Sequence, residues 1–144
     1  MIDINFKIII LPSSTERYRL MADTEGELTI SKMGQLIFAH EEILLVEFAR
    51  VLGEWLKINN ENINRDFIYN SMDFEEEPVL AFRRQKAGNL LIESALLEMS
   101  RNIIIKPDEL IEASKIFLQD LHDSLVCKGI KFENYDAFEA SYKL

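Results

Sequence analysis

The stretch "INFKIII" places Ile4, Phe6, Ile8 and Ile10 on one side of an extended chain, with Asn5 and Lys7 on the other. Successive side chains of a strand point to opposite faces, so a period of two predicts a half-buried strand. The segments directly after it limit the topology. "LPSSTE" breaks the pattern with Pro12 and two serines, and "RYRLMA" resumes it, with Tyr18, Leu20 and Ala22 alternating against Arg17, Arg19 and Met21. "DTEGE" turns the chain at Gly26, and "LTISKMGQLIFA" reads as one long or two short strands around Gly34. Turns this short leave no room for the crossover that a parallel return requires, so an antiparallel meander is expected.

The period then changes. In "HEEILLVEFARVLGEWLKI", Leu44 or Leu45, Phe48, Val51 or Leu52, and Trp55 recur at spacings of three and four, the stripe of an amphipathic helix. Glu41 and Glu42 fall in its first turn and Lys57 in its last, as the helix dipole favours. After the polar "NNENINRD" come alternation in "FIYNSM", a strand at "VLAFRRQ", a turn at Gly88-Asn89 into "LLIESALLEM", and a short strand or lead-in at residues 102–105. "KPDELIEASKIFLQDLHDSLVCKG" is the clearest helix, with Pro107, Asp108 and Glu109 at its start and Gly129 as its stop.

The expected fold is α+β: an antiparallel sheet of about six strands in two groups, with two main helices packed on one face. Residues 1–129 form a single domain in this reading. Residues 130–144 add an aromatic tail, in which Phe132, Tyr135, Phe138 and Tyr142 at helical spacing suit packing onto the domain.

A chain of 144 residues suffices for one such core without staples. The single cysteine, Cys127, precludes an internal disulfide and suits the cytoplasm. No apolar run is long enough for a bilayer. The formal net charge of −9 and the scattered basic residues argue against nucleic acid, whose phosphates need clustered Lys and Arg, and in favour of a basic partner.

The strongest local charge lies in "SMDFEEEPVLAF", where Asp73, Glu75, Glu76 and Glu77 precede Pro78. A calcium loop would need acids at alternate positions, a Gly at the sharp turn and a distal Glu. A transition-metal site would draw on His or Cys nearby, and neither occurs here. Acid–base catalysis would need a second, facing carboxylate in a desolvated cleft. Two readings survive: a solvated hairpin tip, or a recognition patch for a basic partner. Elsewhere His40 and His122 lie apart, at the head of the first helix and within the second. Cys127 sits at a helix C-terminus, where its thiolate is disfavoured. Ser71 and Ser94 lack a nucleophile-elbow context, and no phosphate-cradling glycine loop occurs. The expectation is a non-enzyme without metal or cofactor.

The succession "EFARVLGEWL", "FIYNSMDFEEEPVLAFRR", "GNLLIE" and "ELIEASKIFLQDLHDSL" resembles the small bacterial immunity proteins of contact-dependent and polymorphic toxin systems, including those paired with wall-associated toxins. The likeness covers most of residues 1–128. It implies a cytoplasmic protein, monomer or homodimer, that neutralises a cognate toxin domain by direct contact, with no nucleic acid or membrane as partner. Many such toxins are basic nucleases, and the feature that carries over is the acidic stretch Asp73, Glu75, Glu76 and Glu77. The alternative is a structural or regulatory module that self-associates through its helices or its tail.

Overall fold

The computed structural model describes residues 1–14, 17–59, 65–96 and 103–130. The meander is present: β1 (Ile2–Ile10), β2 (Glu25–Lys32) and β3 (Gln35–Leu44) pair antiparallel in the order β1-β2-β3. Its inner face buries Ile2 and Ile4 of β1, Leu28 and Ile30 of β2, and Phe38 and Ile43 of β3. Lys32 pairs with Gln35 across a two-residue turn in which Met33 and Gly34 both have positive φ, 52° and 79°. That combination defines a type I′ turn, whose twist matches that of the flanking strands. Gly26 is required for a different reason: a Cβ there would collide with the carbonyl oxygen of Lys7 and come within 2.9 Å of Leu45 Cδ1.

Three expectations fail in this half. The chain does not turn at Gly26, which is a buried member of β2 paired with Ile8 and Ile43. Residues expected as the strand "RYRLMA" form a helix, α1 (Arg17–Asp23), with Leu20 buried. Among its described side chains Leu20 alone is fully buried, and a single anchor specifies neither period. The helix expected from His40 onward begins later, as α2 (Leu45–Asn59). His40, Glu41 and Glu42 belong to β3, so those two acids do not occupy the helix's first turn; Glu47 does. The unbroken run Ile43-Leu44-Leu45-Val46 is buried throughout and serves as strand end and helix start alike, which conceals the boundary.

The second group forms a separate antiparallel sheet, β4 (Phe67–Tyr69), β5 (Leu80–Arg84), β6 (Leu90–Glu93) and β7 (Ile104–Ile105), in sequence order. Seven strands in two sheets thus realise the α+β class and the two groups. α3 (Pro107–Cys127) is the last helix among the described residues. The Glu109 carboxylate accepts the Lys106 backbone N–H at its start (3.3 Å). At its end Gly129 (φ 87°) and Ile130 return their N–H groups to Val126 and Leu125, which satisfies the last carbonyls. The aromatic residues of the tail lie outside the described residues.

α3 follows the second sheet yet packs on β1 of the first, with Phe117 edge-on to Phe6 at 5.7 Å. Phe48 of α2 joins the layers, because its ring meets Phe67 and Tyr69 of β4 and Phe117 of α3 at 5.2–5.9 Å. Trp55 sits on the buried stripe as its spacing predicted, and its indole N–H donates to the Arg65 carbonyl at 3.0 Å. One cluster of buried side chains therefore runs from Ile2 to Leu125. Among the described residues no helix is long and apolar enough to cross a membrane.

Candidate functional site

The acidic stretch connects β4 to β5. Tyr69 and Leu80 are the last paired residues, and the Val79 N–H donates to the Tyr69 carbonyl at 3.0 Å. Between them Ser71 organises a tight turn: its hydroxyl accepts the Asp73 N–H (3.2 Å), and its carbonyl accepts the Phe74 N–H (3.3 Å). Asp73, Glu75, Glu76 and Glu77 are all exposed, while Phe74 and Pro78 are half-buried. The four carboxylates thus face water beyond a small apolar base. They do not converge: among the described residues no group of three or more His, Cys, Asp or Glu side chains could hold a metal ion.

This tip is anchored on three sides. Beneath it lies Glu47 of α2, 5% exposed, which accepts the Tyr69 hydroxyl hydrogen at 2.7 Å and the Met72 backbone N–H at 3.4 Å. Burial, the Ser71 contact notwithstanding, pushes the Tyr69 phenol far above its usual range, and the neighbouring Glu47 charge adds to the effect. On its far side the Pro78 carbonyl accepts the Ala95 N–H at 2.8 Å, and the Ser94 hydroxyl donates to the Val79 carbonyl. Toward the first sheet, the Phe74 ring stands edge-on to His40 of β3 at 5.0 Å. His40 is itself held, because its Nδ1 accepts the Glu42 N–H at 3.0 Å.

The same strand, β3, borders a shallow open depression on the first sheet, lined by Glu27, Thr29, Leu36, Ala39, His40, Glu41 and Glu42. Three acids, Glu27, Glu41 and Glu42, thus lie beside the depression, and four, Asp73, Glu75, Glu76 and Glu77, stand on the tip. The sequence marks the tip alone. The helix start expected at residues 40–42, which belong to β3, hid the acids beside the depression. Glu47 is missed as well, although one signal was available: a tyrosine on a buried strand face needs a hydrogen-bond partner. His122 is half-buried within α3, its Nδ1 3.4 Å from Asp123, and Cys127 is exposed in the helix's last turn.

These features define an α+β domain with a braced, carboxylate-rich surface. The chain belongs to the family described as domain of unknown function DUF7878, whose model matches residues 4–126. No curated protein and no solved structure matches the chain. The family description carries no activity, so function has to be argued from the surface itself.

Proposed function

We propose that this protein is a non-catalytic, cytoplasmic immunity-type inhibitor that binds a basic toxin domain, a nuclease being the class best suited to it. The observation that carries the reading is the cluster of exposed carboxylates Asp73, Glu75, Glu76 and Glu77, held by the buried Glu47–Tyr69 hydrogen bond beneath it and the Phe74–His40 contact beside it. A carboxylate field of this kind attracts a cationic substrate-binding face and speeds encounter. Its stiffness matters as much as its charge, since a preformed surface loses less entropy on binding than a loose loop. The exposed Met72 and half-buried Phe74 beside the acids offer apolar contact to a partner that charge has drawn in.

The test is co-expression with the protein encoded beside this gene, scored by growth and by calorimetric titration of the purified pair. The expected result is rescue of growth with a one-to-one complex that covers the acidic tip. An adjacent toxin that remains fully active, with no heat of binding, would overturn the proposal.

A further inference from the structure

We infer that β1 is a self-recognition edge, through which two copies of this chain join their first sheets into one continuous sheet across a two-fold axis at Asn5. Among the described residues β1 is a terminal strand of the sheet, paired on one side to β2 alone. The Met33 N–H donates to the Met1 carbonyl, so residue 1 turns its backbone polar groups toward β2. Those groups alternate along an antiparallel strand, and the β1–β2 register is unbroken from Ile2 to Ile8. Ile2, Ile4, Phe6 and Ile8 therefore present their N–H and C=O groups to the open side.

A second β1 running antiparallel must use those same residues for its hydrogen bonds. A two-fold axis at Asn5 sets Ile4 opposite Phe6 and Ile2 opposite Ile8, all even positions, so the free groups meet. The odd residues then form the close, non-hydrogen-bonded pairs, with Asp3 of one copy facing Lys7 of the other, twice by symmetry. Asp3, Asn5 and Lys7 are exposed on the outer face, and neither Asp3 nor Lys7 makes an ion pair among the described residues, although Glu27 lies across from Lys7 on β2. Moving the axis by one residue sets Asp3 against Asn5 or against Ile9, so this register alone pairs the opposite charges. On the inner face Phe6 and Ile8 are half-buried, whereas Ile2 and Ile4 are buried, and the junction would cover the first two. β3, which adjoins the acidic tip, is the opposite edge, so both copies keep that surface free.

Sedimentation of the full chain is expected to show a dimer. Asp3→Lys or Lys7→Asp alone should weaken it about tenfold, since each converts two attractive cross-strand pairs into repulsive ones. The combined Asp3→Lys/Lys7→Asp protein should regain the original affinity. Independently, Asn5→Cys in a Cys127→Ser background should cross-link at the axis on mild oxidation, as residues facing each other in a close antiparallel pair fall within disulfide range. A monomer that gives no cross-link at residue 5, a dimer indifferent to either single reversal, or a combined variant that stays weak would each overturn the inference. None of these readouts involves a toxin, so they are independent of the proposed function.

Discussion

Removing one oxygen atom from the core should cost this protein a sizeable part of its stability. Tyr69→Phe preserves the ring packing of a fully buried side chain against Phe48. It deletes the 2.7 Å hydrogen bond to Glu47 and leaves that carboxylate, 5% exposed, with the longer bond from the Met72 N–H. A hydrogen bond to a charged group contributes about 1.5–3 kcal/mol, and stranding a buried charge can bring the loss to about 3–5 kcal/mol. With partial relief from Met72, a loss of about 3 kcal/mol is expected. In urea it should appear as a lower midpoint with an unchanged slope, because the surface exposed on unfolding hardly changes. In heat it corresponds to a fall of about 10 °C for a domain of this size. The paired change Tyr69→Phe/Glu47→Leu should recover part of the loss, since the buried charge is then gone and the Met72 N–H, on an exposed residue, can turn to water. A single variant within about 0.5 kcal/mol of the original would refute the reasoning, as would a paired variant weaker than the sum of its parts.

Three further outcomes rest on the same contacts. Because burial raises the Tyr69 pKa in the fold, the stability it lends is complete below the usual phenol value of 10.0 and is lost as pH rises beyond it; phenolate absorbance of Tyr69 should appear only with unfolding, and Tyr69→Phe should abolish that late step. Gly26→Ala should destabilise by about 3 kcal/mol in chemical denaturation, since the added methyl meets the Lys7 carbonyl oxygen, a backbone atom that cannot swing away as the Leu45 side chain could. Phe74→Ala keeps every acid yet removes the ring contact with His40; stability should fall by only about 1 kcal/mol, while binding of the basic partner weakens, and unaltered binding would show that the tip needs no bracing from β3.

How much of this was readable in the residues depended on repetition. β1 and α3 carry several turns or pleats of one pattern, so both emerge where the periodicity places them, except that the β1 register shifts after Ile8 and leaves Ile10 exposed. α1 offers seven residues, too few for a period of two to be told from one of 3.6 when Leu20 is the single fully buried anchor among its described side chains. The boundary at Leu44–Leu45 was hidden because strand end and helix start are equally apolar, and only the chain's reversal distinguishes them. The acidic tip was legible, since charge is local. Its foundation was not: the Glu47–Tyr69 bond spans 22 positions, and His40 of β3 meets Phe74 of the β4–β5 loop. Contacts of that kind follow from how the sheets are stacked, about which no short window of sequence carries information.

The central claim, that the braced acids of the tip recruit a basic partner, is tested most directly by association kinetics. The protein encoded beside this gene is mixed with the original chain and with Glu75→Lys/Glu76→Lys/Glu77→Lys, at rising ionic strength. Each reversal adds two units of charge, taking the chain from −9 to −3. The original should associate at a rate that falls steeply with salt, and the variant about tenfold or more slowly, with a flattened salt dependence. Equal rates and equal salt slopes for the two proteins would contradict the claim.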